Sequence, residues 1–323
     1  MPLFGLPPFL GRRSRNLRTA TAVVVTSAAA FTLSAPTATP ISTVSAATSA
    51  KTAVVNTGGG SPYVALGDSY ASGAGLAGVK DAECDRTSGS YPSLIARFFA
   101  VAGPRHSFKD VTCSGATTRD FWNARGSKPP QIDALTSGTR LVTLTLGGND
   151  VGFSSVLATC ARVASSDRDG SPCERYFTAD GKDVLEERVA TMEGRVHDVL
   201  ADIRRRSPHA KVIVVGYPAL FPDDGVACPE VPFAKGDFAY LRDTTKKANR
   251  ALERQAVAAG AGTSFADTYT PTIGHDMCRP RDERWIESLN PAANTMAAHP
   301  NSLGQSVMAA SALWQLYKPF HKP

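Results

Sequence analysis

The strongest constraint on this chain is a recurrence. Short apolar runs, most of them rich in β-branched residues, alternate with longer amphipathic patterns. Five runs read as buried strands: Tyr63–Leu66, Phe108–Thr112, Leu141–Leu146, Lys211–Val215 and Thr263–Ala266. "LVTLTL" and "KVIVV" are the clearest, being β-branched runs closed by glycine. Between them, Leu185, Val189, Met192, Val196, Val199 and Ile203 recur at steps of three and four, and Asp183 with Glu186 resembles a capping box. Residues 239–260 form a second, charged-faced helical pattern ending at Gly260. A last helix is expected from Ser302, with Gln305 as box partner and an apolar stripe of Leu303, Val307, Ala310, Trp314 and Tyr317. Strands alternating with helices imply an α/β domain around a mainly parallel, doubly wound sheet. Residues 151–182 and 217–238 are expected to be long irregular loops, stapled by cysteine and able to carry specificity.

The first strand runs into "YVALGDSYASGAG", and two readings of this stretch compete. Ser69 could be a nucleophile held at the tip of a sheet. Alternatively, Gly73, Gly75 and Gly78 spell G-x-G-x-x-G, a loop that cradles a dinucleotide. The cofactor reading needs a helix directly after the motif, but "VKDAECDRTSGSYP" is polar and a poor helix former. No G-K-[ST] follows either, so a phosphate loop fails, and no cofactor is expected. A serine nucleophile needs an adjacent base and fixed donors for the developing oxyanion. In an open parallel sheet these belong on loops at the carboxyl ends of strands. Three such loops stand out, Gly67-Asp68-Ser69, Cys113-Ser114-Gly115-Ala116 and Gly147-Gly148-Asn149-Asp150, and just before the last helix lies His299-Pro300-Asn301. Gly67-Asp68-Ser69-Tyr70-Ala71 is not G-x-S-x-G, which disfavours the nucleophile elbow of the α/β-hydrolases. His106, His197 and His209 read as solvent-facing, and His275, in "GHDMC", as the brace of a disulfide loop.

The start of the chain reads as a secretory signal peptide over residues 1–46. Arg12, Arg13, Arg15 and Arg18 precede an uncharged stretch from Thr19 to Ala35, and small residues lead to Ala46. A flexible lead-in over 47–61 and a single domain over 62–323 follow. Removing the leader takes away four arginines and no acid, lowering the formal charge from +6 to +2. The mature part therefore carries no argument for a nucleic-acid partner, and a monomer without stable membrane insertion is expected. Its six cysteines, with no C-x-x-C pair, suit an exported disulfide protein rather than a metal site. Spacing alone selects no pairing; the expectation adopted is chain order, Cys84 with Cys113, Cys160 with Cys173 and Cys228 with Cys278.

Taken together, the "GDS", "CSGA", "GGND" and "HPN" blocks resemble, in order, those of an SGNH (GDSL-type) hydrolase of the secreted actinobacterial lipase/esterase branch. "GYP" at 216–218, "GHDMC" at 274–278 and "RWIESL" at 284–289 add to the resemblance. The resemblance implies a three-layer α/β/α fold with a flavodoxin-like sheet of about five strands. It also implies a secreted carboxylic ester hydrolase. Ser69 would attack the ester carbonyl, and His299 would accept and return its proton. The Ser69 N–H, the Gly115 N–H and the Asn149 amide would hold the oxyanion. Many members place an Asp three residues before the histidine, where this chain has Met296. The branch implies a Ser–His dyad instead, with a main-chain carbonyl of Met296 or Ala297 orienting the ring; Asp267 and Asp276 are rival acids. Phe153, Leu157, Leu220, Phe221, Phe233 and Phe238 could wall an acyl site for lipid or short-to-medium acyl esters. Deacetylation of a polysaccharide, or a binding protein with a dead site, are the alternatives.

Overall fold

The computed structural model describes residues 63–102 and 107–317, so the leader, the lead-in and His106 lie outside the described residues. In chain order the elements are β1 (Tyr63–Gly67), α1 (Ser69–Ser72), β2 (Val79–Asp81), β3 (Arg86–Thr87), α2 (Tyr91–Ala102), β4 (Phe108–Asp110), β5 (Leu141–Thr145), α3 (Gly148–Val151), α4 (Phe153–Val163), α5 (Pro172–Phe177), α6 (Val184–Arg206), β6 (Lys211–Val215), α7 (Asp237–Ala258), β7 (Thr263–Ala266) and α8 (Ser302–Tyr317). Five strands pair in parallel in the order β4-β1-β5-β6-β7, and β2 and β3 form a small separate hairpin. Counting the main strands along the chain, this is the 2-1-3-4-5 order of flavodoxin-like sheets. Its switch point lies between β1 and β5, where ligands bind at the carboxyl ends.

Alternation along each strand builds the layers. Val64, Leu66, Val142, Leu144, Val212 and Val214 face one side, where Met192, Val196 and Ile203 of α6 and Ala251 and Leu252 of α7 cover them. Tyr63, Ala65, Ile213 and Val215 face the other side and meet Tyr91 and Ile95 of α2 and Met308, Ala309 and Ala312 of α8. Polar strand residues on this second face are satisfied across it. Thr143 bonds the Tyr63 hydroxyl at 2.8 Å, and Thr145 bonds that of Tyr91 at 2.9 Å.

Three expectations need correction. The stripe read on α8 is its wet side: Leu303, Trp314 and Tyr317 are exposed, whereas Gly304, Gln305, Met308, Ala309 and Ala312 are buried. Small residues let the helix lie close against the sheet, so the bulky ones point away from it. Gln305 is no capping partner, because Asn301 Oδ1 takes the Leu303 and Gly304 N–H groups. Residues 151–182 are also more ordered than expected. Gly152, at φ +81°, ends α3 and opens α4, whose Val156, Leu157 and Cys160 are buried. A third apolar cluster joins α4 and α5 to residues of the 217–238 loop, to Met277 and to Ile286. Disulfides join Cys160 to Cys173 and Cys228 to Cys278 in this region, and a third joins Cys84 to Cys113.

Candidate active site

The position of Ser69 is built by the end of β1. Gly67 adopts φ +143°, and a β-carbon there would lie 2.4 Å from the Thr145 carbonyl oxygen, so the turn out of the strand requires glycine. Gln131 clamps the same residue, accepting from its N–H at 2.8 Å and donating to its carbonyl at 2.9 Å. The Asp68 N–H continues the ladder to Thr145 O at 2.9 Å. Its side chain then caps α1 by accepting from the Tyr70 N–H, also at 2.9 Å. Ser69 is left at the first helical position, on the carboxyl edge of the sheet.

His299 arrives from the other end of the chain. Its Nε2 lies 2.7 Å from Ser69 Oγ, and its Nδ1 lies 2.8 Å from the Ala297 carbonyl oxygen. A carbonyl only accepts, so Nδ1 carries the proton. Nε2 is then bare, and the serine hydroxyl donates to it. Of the two carbonyls expected to orient the ring, Ala297 faces it; the Met296 carbonyl accepts from the His299 backbone N–H at 3.2 Å. Asp267 and Asp276 are engaged elsewhere, capping Tyr269 and Thr270 in the first case and accepting from the Cys278 N–H in the second. Desolvation lowers the His299 pKa below the ordinary histidine value; the Ala297 carbonyl and the distant charge of Asp85 oppose this. The imidazole is therefore neutral at pH 7.

The remaining loops flank this pair. Gly115 adopts φ +76°, and the space of its missing β-carbon is filled by the Arg125 guanidinium, 2.6 Å from where that carbon would stand. Among the described residues its N–H donates to no protein group. The Asn149 amide donates one hydrogen to Ala116 O at 2.9 Å, which ties the third block to the second and leaves its other hydrogen free to donate. Asp150 braces the same junction, accepting from the Thr118 N–H at 2.8 Å and from Arg195 at 3.0 Å.

Asp68, Tyr217 and Tyr70 do more than their motifs announced. The Gly148 N–H donates to the Tyr217 hydroxyl at 2.7 Å, which donates to Asp68 Oδ2 at 2.6 Å. A buried chain of hydrogen bonds thus joins the serine block to the Asn149 block. Burial raises the Asp68 pKa to about 7, against the lowering effect of the Tyr217 and Tyr70 bonds. Tyr217 belongs to "GYP", the one signal in the sequence that pointed here.

A cavity of about 370 Å³ opens beside Ser69 and His299 and includes Phe153, Leu157, Ala158, Ala161, Leu220 and Leu289 in its wall. Of the six apolar residues proposed for an acyl wall, half of which could be core, Phe221, Phe233 and Phe238 pack edge-on and tilted against one another in the adjoining core. His197 and His209 are exposed, and His275 stacks on Trp285 with ring centroids 3.4 Å apart. Among the described residues no group of three or more His, Cys, Asp or Glu could hold a metal ion.

The 2-1-3-4-5 sheet order, with an apolar cavity and a serine–histidine hydrogen bond at its switch point, defines the class: a doubly wound α/β protein with a ligand site at the carboxyl ends of its strands. Comparison with known proteins narrows the class. The pattern of the GDSL-like Lipase/Acylhydrolase family matches residues 65–307, and the chain belongs to that family. It is 39% identical over 255 residues to "Lipase 2" of Streptomyces coelicolor, covering 76% of this chain and 83% of that one. Among solved structures it resembles phospholipase A1 of Streptomyces albidoflavus, with a TM-score of 0.65, 31% identity, and 80% and 99% of the two chains covered. The extracellular lipase of Streptomyces rimosus matches with a TM-score of 0.60, 30% identity, and 79% and 99% covered. The protein is a carboxylic ester hydrolase. No described helix is long and apolar enough to cross a membrane.

Proposed function

We propose that the protein is a secreted serine esterase that cleaves lipid or medium-chain acyl esters through a Ser69–His299 dyad. Ser69 Oγ attacks the ester carbonyl while His299 Nε2 takes its proton, and the Ala297 carbonyl holds the ring through Nδ1–H. The tetrahedral oxyanion is met by the Ser69 N–H, the Gly115 N–H and the free hydrogen of the Asn149 amide. His299 returns the proton to the leaving alcohol, and water then hydrolyses the acyl-enzyme by the same steps. The observation that carries this reading is the 2.7 Å contact between Ser69 Oγ and a histidine nitrogen that the Ala297 carbonyl keeps unprotonated. An apolar wall on one side of the serine favours an acyl chain over a bare acetyl group. Disulfides and the signal-like leader favour export, and the Streptomyces rimosus relative is described as extracellular.

A fluorophosphonate should label the wild-type protein covalently. Ser69→Ala should abolish labelling, and His299→Ala should lower turnover by about three orders of magnitude or more. Asn149→Ala should cost about 10²–10³ in kcat. If Ser69→Ala were still labelled, or if acetylated xylan were cleaved faster than p-nitrophenyl esters of eight or more carbons, the assignment would be wrong.

A further inference from the structure

The dyad leaves a chemical question. When His299 takes the serine proton it becomes a cation in a partly desolvated site, and among the described residues no carboxylate touches it. The Ala297 carbonyl supplies only a partial charge, at 2.8 Å. Asp85, whose charge the ring feels, spends its Oδ2 on the Gly75 N–H.

Tyr70, the residue after the nucleophile, is placed to fill the gap in two ways. Its ring lies against the imidazole, with centroids 4.8 Å apart and planes inclined at 34°. Its hydroxyl donates to the Ala298 carbonyl oxygen at 2.5 Å. Ala298 immediately precedes His299 and holds φ +59°, a left-handed conformation that a residue with a β-carbon adopts only when its surroundings impose it. Tyr70 is itself fixed on every side. Asp68 accepts from its N–H, Gln305 donates to its carbonyl at 3.0 Å, and its ring meets that of Tyr217 edge-on with centroids 5.1 Å apart. One side chain thus bridges the helix that carries Ser69 and the loop that carries His299.

We propose that Tyr70 stands in for the absent triad carboxylate: its hydroxyl holds the backbone that presents the imidazole, and its ring face stabilises the imidazolium formed during proton transfer. The second half follows from the negative face of an aromatic ring, which attracts a cation lying against it. Tyr70 is a positioning residue, and the inference rests on the Ser69–His299 reading.

Two variants separate the halves. Tyr70→Phe keeps the ring and removes the hydroxyl bond, whereas Tyr70→Leu keeps an apolar side chain and removes both. Tyr70→Phe should lower kcat by about three- to tenfold with the acid limb of the kcat/KM profile unmoved. Tyr70→Leu should lower kcat by roughly 10- to 100-fold with little change in KM. Its acid limb should move to lower pH, because the imidazolium is less stabilised. A Tyr70→Leu protein with wild-type kcat and acid limb overturns the proposal. Equal losses in the two variants, with both limbs unmoved, overturn the role of the ring. Should Tyr70→Leu fail to fold by near-ultraviolet circular dichroism, Tyr70→Phe decides: wild-type kcat in that variant removes the hydroxyl role and, with it, the proposal as stated. His299→Ala and fluorophosphonate labelling of Ser69, run alongside, report on the dyad separately. Loss of activity in His299→Ala with no effect at Tyr70 rejects this inference and leaves the dyad standing.

Discussion

The two arms of the site, one carrying Ser69 and the other His299, are held by different means. The serine arm is an extension of the sheet. Asp68 bonds to Thr145 and Cys113 to Gly67 through the backbone, continuing the strand pairing past the last residues of β1. The histidine arm leaves no strand and has no ladder to extend. Its backbone pairs with the neighbouring segment instead, through Glu287 N–H to His299 O at 2.9 Å and Ala298 N–H to Glu287 O at 3.0 Å. That segment is organised by a buried ion pair, Arg284–Glu287, 2.6 Å long, with the two side chains 6% and 3% exposed. Asn301 donates to Glu287 Oε1 and to the Arg284 carbonyl, and the Ala292 N–H donates to Glu287 Oε2. A residue at a strand end can thus be positioned by bonds the sheet already makes, whereas one carried on coil needs a polar core of its own.

The sharpest way to break this comparison is to remove one member of that core. Glu287→Ala leaves the Arg284 guanidinium buried without its partner and should cost about 3–5 kcal/mol of stability, with most of the turnover lost. Thermal unfolding and kcat check both, and a variant with wild-type values would show that the histidine arm is held some other way. Burial raises the Glu287 pKa, but the Ala292, Asn301 and Arg284 contacts outweigh it and the carboxyl sits below its ordinary value. The contribution is therefore present above the unfolded pKa, near 4.5, and is lost as pH falls below it.

On the serine arm the expected signature has the opposite sign. The folded pKa of Asp68, about 7, lies above its unfolded value of 3.8. Its contribution is thus complete below pH 3.8 and is lost as pH rises through 7, by a few kcal/mol at most. The His299 pKa is lowered on folding, so its contribution is present above 6.5 and is lost as pH falls. In the wild type the two oppose each other over the acid side of neutrality. Asp68→Asn should leave the histidine term alone, so that the melting temperature rises more steeply with pH between about 4 and 7 than in the wild type. Parallel melting curves for the two proteins would reject the titration of Asp68. The smallest effect belongs to Met296→Ala. The Met296 carbonyl, not its side chain, serves the histidine arm, so kcat should stay within about twofold of wild type in an esterase assay. A larger loss would mean that the Met296 side chain, which lines the cavity beside Ser69, matters to turnover.

The limits of sequence reading follow the same division. Strand runs, the six-residue stripe of α6 and the glycine-rich strand ends were legible because each depends on local periodicity and backbone freedom. The stripe of α8 was misread because its close approach to the sheet selects small residues, which leave little hydrophobic trace. Nothing local announces the contacts of Tyr70 with Ala298 or of Gln305 with Tyr70, since these partners lie 228 and 235 residues apart in sequence.

By itself, then, the sequence determined the alternation that makes a parallel α/β sheet and the order of the blocks at its strand ends, because both are written in neighbouring residues. Only the tertiary structure decided that Ser69 Oγ and His299 Nε2, 230 residues apart, come within 2.7 Å, and that Ala297 rather than an acid faces the ring. Those contacts depend on which strands become neighbours and on where an irregular segment is pinned. Both are settled by burial and hydrogen bonding between distant parts of the chain, not by the residues on either side.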